Sequence, residues 1–269
     1  MTNTKRILLI GGGNMGRALV GGWLANGHKS DRIHVVDPSD NARASMENLG
    51  VSTSAELETT TDPVDLVMFA VKPQQLESVL PAYRALSEGG PVFLSIAAGK
   101  RIEFFEQILG ADVALVRAMP NTPAAIAQGM TVLTANARAT ESQLALCEAL
   151  MRAVGDVAWV DTEELMDAVT AVSGSGPAYV FLLIECLTDA AVGVGLDEAL
   201  ARQLAEKTVA GAGAYAASSE TVARELRRQV TSPGGTTEAA LDVLMGEEGL
   251  PALLRRAVSA ANERSRKLA

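Results

Sequence analysis

The sequence has few aromatic residues, few cysteines and few histidines. Aromatic side chains make up 4% of the 269 residues, whereas glycine occurs 24 times. This composition disfavours an aromatic-rich β-sandwich and favours closely packed helices. Cys147 and Cys186 lie in separate helical patterns, with no CxxC spacing and no histidine cluster, so we expect neither a disulfide nor a metal site. A cytoplasmic location fits this cysteine usage.

The sequence also lacks an excess of positive charge and a long uninterrupted apolar run. Its net charge is −9, so no basic field attracts nucleic acid or an anionic membrane surface. The first apolar run, ILLI, ends in glycines and is not typical of a signal peptide. The most apolar later stretch, residues 178–195, carries Glu185 and Asp189, and we expect it to be a buried helix. We therefore expect no nucleic-acid partner and no membrane partner.

Strand and helix patterns alternate up to about residue 160. Short apolar runs predict strands at 6–10, 33–38, 64–71, 91–98, 113–119, 130–135 and 156–160. Helical patterns alone follow Asp161 or Thr162, either of which is a suitable cap, at 163–172, 177–193, 197–217, 219–230, 236–246 and 250–267. The predicted fold is a doubly wound, Rossmann-like α/β domain over residues 1–161 and an all-α domain over residues 162–269.

The glycine-rich stretch GGGNMG, between the first strand and the first helix, has the pattern of a dinucleotide-binding loop. Gly11 permits the tight turn, Gly13 lets the backbone approach a pyrophosphate, and Gly16 permits close packing of the helix on the strand. The helix that follows directs its N-terminus at the anion. The alternative is a turn without a ligand, which the surrounding order of strands and helices disfavours.

Asp37 follows the second strand, where an acidic side chain commonly binds the adenosine ribose of NAD and repels the extra phosphate of NADP. Taken alone it favours NADH, and the alternative is a role as a turn residue before Pro38. Arg43 is close enough to matter if the loop folds back. The cofactor is therefore expected to be NADPH or NADH, with the preference open.

Several motifs occur in order along the whole chain. They are GGGNMG (11–16), AVKP (70–73), SIAAG (95–99), MPNTP (119–123), SGSGPAY (173–179) and TSPGGTT (231–237). Together they resemble pyrroline-5-carboxylate reductase, the family that makes L-proline with NAD(P)H as hydride donor. The resemblance implies a Rossmann domain followed by a helical dimerisation domain, so we expect a homodimer, with a ring of dimers as a larger alternative.

The resemblance also implies which residues contact the ligands. The dinucleotide side comprises Ile10, Gly11, Gly12, Gly13, Asn14, Met15, Ala70, Val71, Lys72, Pro73, Ile96, Ala97 and Ala98. Asp37 joins this set for the reason given above, and Asn121 joins it as a residue expected to line the nicotinamide pocket. The substrate side comprises Ser232, Gly234, Gly235, Thr236 and Thr237, contributed by a partner subunit, together with Glu163. Three of these residues have an alternative role. Lys72 would be a solvated charge, Asn121 part of an ordinary turn, and Glu163 part of the first turn of a helix.

The stretch SPGGTT precedes a helical pattern and suits the substrate's carboxylate. Glycines do not block the approach of an anion, and the free N–H groups from Gly235 to Thr237 together with the helix dipole form an anion seat. The alternative is a Thr-capped helix after a Pro-Gly turn. Thr237 aligns with the family threonine near the ring nitrogen and is the predicted catalytic residue. No catalytic histidine is required, and His28 and His34 are expected to be structural.

Two other functions compete with this hypothesis. A β-hydroxyacid dehydrogenase shares the domain plan, but that family carries a catalytic lysine after a glycine-rich segment, and residues 173–186 contain none. A non-catalytic dinucleotide sensor would use the same glycine loop, yet it needs no carboxylate seat. The retained SPGGTT therefore favours a reductase.

Overall fold

The chain forms two compact units in a computed structural model that describes residues 4–57 and 63–268. One unit comprises Met1–Gly174 together with Ala261–Ala269, and the other comprises Ser175–Ala260. The predicted domain boundary between residues 161 and 162 stays a prediction. The first compact unit extends past it to Gly174 and includes the end of the chain.

An eight-stranded sheet is the centre of the first unit. Its strands are β1 (Ile7–Ile10), β2 (Ile33–Val36), β3 (Ser52–Ser54), β4 (Leu66–Phe69), β5 (Val92–Ser95), β6 (Ala114–Met119), β7 (Gly129–Ala135) and β8 (Gly155–Trp159). They are ordered β3-β2-β1-β4-β5-β6-β7-β8, and only the β6–β7 pair is antiparallel. The order reverses between β1 and β4, which is the switch point at which doubly wound sheets bind ligands. The predicted Rossmann-like fold is confirmed.

Helices cover both faces of this sheet. They are α1 (Asn14–Ala25), α2 (Asp40–Glu47), α3 (Leu76–Val79), α4 (Ile102–Leu109), α5 (Glu141–Arg152) and α6 (Leu165–Val169), the last continuing as a π-helix over Thr170–Gly174. Strand β1 shows why: Leu9 packs in one apolar cluster with Leu19 and Trp23, and Leu8 packs in a second cluster with Phe105. Every residue of β1 is therefore buried.

Sequence reasoning missed two elements and misplaced two helix starts. Strand β3 consists of polar residues, whereas α4 carries an apolar face with Phe105 and Leu109 that a search for helical spacing can find. The helix predicted to begin at residue 219 begins at Ala223. Neither Asp161 nor Thr162 caps α6, because that helix begins at Leu165 without a side-chain cap.

The second unit is helical, as predicted. It contains α7 (Gly176–Gly193), α8 (Glu198–Ser218), α9 (Ala223–Gln229), α10 (Thr236–Leu244) and most of α11 (Leu250–Arg266). The prediction of a buried helix at 178–195 is wrong for the single chain, because Phe181 is 62% and Leu182 58% exposed. By length and composition the segment Leu165–Gly193 is apolar enough to cross a membrane. An apolar surface of this kind marks a contact face that one chain does not cover by itself.

Both histidines are structural in the first unit, as predicted. His28 is buried and its Nε2 lies 2.9 Å from the carbonyl oxygen of Lys5. His34 in β2 lies within hydrogen-bond distance of the hydroxyls of Ser52 and Ser54. Desolvation lowers the pKa of His28, and the hydrogen bond to Lys5 opposes this only in part.

His28 should make stability fall in mild acid. The unfolded chain takes up a proton below pH ~6.5, which the buried ring resists, so the free energy of unfolding should decrease as pH falls through that value. His28→Gln keeps a donor for Lys5 but does not titrate, and it should lose less stability over the same interval. Urea unfolding of both proteins on either side of pH ~6.5 measures the difference. Parallel pH profiles would show that His28 does not contribute.

Candidate active site

The glycine loop after β1 is shaped by close backbone contacts. Gly11 has a φ of +108°, and a Cβ there would lie 2.6 Å from the carbonyl oxygen of Ala70. A Cβ on Gly16 would lie 2.2 Å from the carbonyl oxygen of Gly11. Both positions therefore require glycine, and they allow the start of α1 to pack closely on the ends of β1 and β4.

Gly13 differs from its neighbours because space lies open beside it. It is the N-cap residue of α1 and makes no side-chain cap, and a Cβ placed on it would meet no heavy atom within 4 Å. The first N–H groups of α1 have no partner within the helix, and the helix dipole adds positive potential there. These residues fit the pyrophosphate of a dinucleotide, which needs an open backbone surface at a helix start.

Asp37 lies beside this loop at the end of β2. Its Oδ2 accepts a hydrogen bond from the N–H of Gly12 at 2.7 Å, and its Oδ1 accepts one from the N–H of Ser39 at 2.8 Å. Arg43 folds back onto this turn, where it donates to the carbonyl oxygen of Asp37 and pairs with Asp40. Asp37 therefore shapes the turn and also places a carboxylate next to the glycine loop.

The other predicted dinucleotide residues follow β4 and β5. Residues 70–73 come directly after β4, and residues 96–98 follow β5. The N–H of Ala70 donates to Ile10 at 2.7 Å, and that of Ile96 donates to Phe69 at 3.1 Å. Because β1, β4 and β5 are parallel neighbours, the glycine loop and residues 70–73 and 96–98 lie at the same carboxyl edge of the sheet. Lys72 is exposed at this edge.

Asn121 uses its side chain within the protein. Its Nδ2 donates to the carbonyl oxygen and hydroxyl of Ser173, each at 3.3 Å, and its Oδ1 accepts from the N–H of Met130 at 2.9 Å. It thereby ties the turn after β6 to the π-helix, which agrees with the turn alternative. Its contact with the nicotinamide stays a prediction.

Glu163 is held by a buried cation. Its Oε1 accepts from Nη1 of Arg117 at 2.9 Å and from the N–H of Ile102, the first residue of α4, at 2.8 Å. The Arg117 side chain is only 4% exposed, so it needs this counter-charge. Glu163 lies in the turn that leads into α6, where its carbonyl oxygen accepts from the N–H of Met166 at 3.0 Å. Its contact with substrate stays a prediction.

The stretch SPGGTT forms a tight turn before α10 in the second unit. The N-cap is Gly235, without a side-chain bond, so the Thr-capped helix is wrong. The N–H of Gly235 donates to Ser232 at 3.0 Å, and that of Gly234 donates to Oε2 of Glu238 at 2.6 Å. The prediction that the N–H of Gly235 is free to bind an anion is therefore wrong, because this group donates the hydrogen bond that closes the turn. Thr236 and Thr237 supply the first helical N–H groups.

Sequence reasoning missed two residues that shape these features. Glu238 stands three residues after the N-cap, the position from which a glutamate commonly reaches back to the start of a helix, so its role was readable. Arg117 has no such signal, because a cation inside a predicted strand gives no indication of its partner 46 residues away.

Two family models match the chain. Residues 6–99 match NADP oxidoreductase, coenzyme F420-dependent, and residues 163–268 match pyrroline-5-carboxylate reductase dimerisation. Pyrroline-5-carboxylate reductase of Pseudomonas aeruginosa is 42% identical over 99% of this chain and 98% of its own. That of Haemophilus influenzae is 39% identical over 89% of each chain.

Solved structures of similar proteins include members of the same family. A pyrroline-5-carboxylate reductase from Coxiella burnetii is 41% identical over 99% of both chains, with a TM-score of 0.93. The enzyme of Plasmodium falciparum, solved with NADP bound, is 29% identical over 99% of this chain and 98% of its own, with a TM-score of 0.85. A 3-hydroxyisobutyrate dehydrogenase from Mycobacterium tuberculosis, covering 98% of this chain and 92% of its own, is 14% identical with a TM-score of 0.52 and shares the fold alone.

Proposed function

The chain belongs to the pyrroline-5-carboxylate reductase family of NAD(P)H-dependent oxidoreductases, and from this we infer that it reduces the C=N bond of 1-pyrroline-5-carboxylate to give L-proline. This reaction is the last step of proline biosynthesis. The observation that carries the inference is the 42% identity over 99% of the chain to a reductase of this name. The open backbone at Gly13, at the switch point of the sheet, supports the use of a dinucleotide.

The start of α10 is proposed to hold the substrate. The carboxylate accepts hydrogen bonds from the N–H groups of Thr236 and Thr237, and each charge-assisted bond contributes about 1.5–3 kcal/mol. Local donors are needed because the protein itself carries a net charge of −9. Ser232, Gly234 and Gly235 form the turn that presents these donors.

Thr237 is proposed to hydrogen-bond the ring nitrogen as the protonated imine becomes an amine. A bound nicotinamide dinucleotide would supply the hydride. The imine is basic enough to be protonated without a strong protein acid, so the two structural histidines have no part in the reaction. Orientation of the imine by the carboxylate seat is then the main contribution of the protein to the rate.

We also propose that the exposed apolar helices of the second unit are covered by a second copy of the chain. The family model that matches residues 163–268 describes dimerisation, and α7 carries the exposed Phe181 and Leu182 within that range. A second copy, and not lipid, is therefore the proposed cover of α7. A ring of dimers and a cytoplasmic location stay predictions.

A direct assay tests the proposed function. Purified protein is mixed with 1-pyrroline-5-carboxylate and either NADPH or NADH, and the loss of reduced nicotinamide and the appearance of L-proline are followed. Turnover with at least one nucleotide is expected. Tight nucleotide binding without turnover would favour the sensor, and turnover of a β-hydroxy acid instead would favour the dehydrogenase.

Asp37→Ser should shift the nucleotide preference towards NADPH. Removing the carboxylate beside Gly12 removes its repulsion of the ribose phosphate, so the kcat/KM ratio of NADPH to NADH should rise about tenfold, equivalent to ~1.4 kcal/mol. Asp31→Ser is the matched control, because it removes an exposed carboxylate before β2 and leaves the glycine loop and Arg43 unchanged. Steady-state rates with both nucleotides measure the ratio. An unchanged ratio in Asp37→Ser would assign Asp37 a turn role alone.

A further inference from the structure

The loop between β5 and α4 is fastened by parts of the chain that lie far away in sequence. Gly99, in the middle of this loop, has a φ of +73°, and a Cβ on it would lie 3.0 Å from Cβ and 3.1 Å from the carbonyl oxygen of Leu268. The last turn of the chain therefore rests directly on the loop. Residues 96–98 of the same loop belong to the proposed dinucleotide site.

A buried carboxylate joins the end of the chain to α6. Oγ of Ser265 donates to Oδ1 of Asp167 at 2.6 Å, and both residues are 4% exposed. Nη2 of Arg101, at the end of the loop, lies 3.8 Å from Oδ2 of the same carboxylate. A buried carboxylate needs both a donor and a counter-charge. Asp167 therefore connects α6 to the last turn of α11 through Ser265 and to the loop through Arg101.

The far end of the loop is fixed by a second carboxylate. The N–H of Ile102, which has no partner inside α4, donates to Oε1 of Glu163 at 2.8 Å. Glu163 is itself held in place by the buried Arg117. The loop is thus constrained at Gly99, at Arg101 and at Ile102, while its start continues from β5.

We propose that Ser265 and Asp167 are positioning residues for dinucleotide binding, which act by holding loop 96–101 through Arg101 and the turn at Leu268. They do not touch the cofactor. The inference rests on the proposed function only in assigning this loop to the dinucleotide. A loop that is already ordered loses less conformational entropy on binding, so the tether raises affinity for the nucleotide without changing the chemical step.

Ser265→Ala should raise the Kd of NAD(P)H roughly tenfold, because the untethered loop must then be ordered when the nucleotide binds. KM for the imine and kcat at saturating nucleotide should stay near wild type. Calorimetric titration of the substrate-free protein measures Kd, so this result does not depend on turnover. Hydrogen exchange at residues 96–102 should be faster in the ligand-free variant, because the loop has lost its anchor.

Matched variants separate positioning from general destabilisation. Ser265→Thr keeps the hydroxyl and should restore the affinity, whereas Arg266→Ala changes an exposed neighbour on the same turn and should bind like wild type. Arg101→Gln alters the tether at a 41% exposed side chain, and it should weaken nucleotide binding in the same direction even if Ser265→Ala fails to fold.

A wild-type Kd in both Ser265→Ala and Arg101→Gln would overturn the proposal. An equal rise in the Kd of the nucleotide and the KM of the imine would also overturn it. A wild-type protein that binds the nucleotide but does not reduce the imine would overturn the proposed function instead, and it would leave this test intact.

Discussion

Replacing Thr237 by alanine should lower kcat about 100-fold and leave the free energy of unfolding within about 0.5 kcal/mol of wild type. The reason is the position of Thr237 in α10. Thr237 is the second residue of α10, and the N-cap is Gly235, so the hydroxyl does not cap the helix. Removal of the side chain therefore costs little helix stability, whereas the ring nitrogen loses its proposed hydrogen-bond partner.

Two further variants test the role of the hydroxyl. Thr237→Ser keeps it and should recover most of the turnover, while Thr237→Val keeps the shape and should behave like alanine. Rates at saturating imine and nucleotide are compared with denaturant unfolding of each protein. Normal turnover in the alanine variant, combined with a stability loss of ~1 kcal/mol, would show that Thr237 serves the helix alone.

Replacing Gly13 by alanine should weaken dinucleotide binding about 100-fold, which corresponds to two lost charge-assisted hydrogen bonds of the weaker kind. The reason is the space beside this residue. An added Cβ meets no protein atom within 4 Å, and φ is −68°, which any L-residue adopts. The methyl group therefore fits the folded chain, and it obstructs only a ligand that approaches the backbone there.

Two other glycines of the same helix provide controls. A Cβ on Gly21 also meets nothing within 4 Å, so Gly21→Ala should stabilise α1 by up to ~1 kcal/mol and leave Kd unchanged. A Cβ on Gly16 would lie 2.2 Å from the carbonyl oxygen of Gly11, so Gly16→Ala should damage both folding and binding. Wild-type nucleotide affinity in Gly13→Ala, measured by calorimetry, would remove the glycine loop from the binding site.

The fold was predictable because its signals are local. Four consecutive apolar residues at β1, followed by glycines at fixed spacing and a helical pattern, specify strand, loop and helix without knowledge of any distant residue. The exposed α7 shows the limit of this reasoning. An apolar helix has the same pattern whether its own chain or a second copy covers it, so the helix was predicted correctly and its burial was not.

The tethers of the site were not predictable because they join distant residues. Ser265 and Asp167 are separated by 98 positions, and Glu163 and Arg117 by 46. No periodicity links such pairs, and each residue taken alone resembles a solvated polar side chain. The roles of Asp37 and Asn121 in their turns were left as alternatives for a related reason: only the coordinates show which backbone groups their side chains reach.

The start of α10 as the seat of the substrate carboxylate is tested most directly by a crystal structure with L-proline and an oxidised nicotinamide dinucleotide bound. The proline carboxylate should lie about 2.7–3.2 Å from the backbone nitrogens of Thr236 and Thr237, with the hydroxyl of Thr237 directed at the ring nitrogen. Proline bound away from this helix start, with its carboxylate on other donors, would contradict the mechanism even if the dinucleotide occupied the glycine loop.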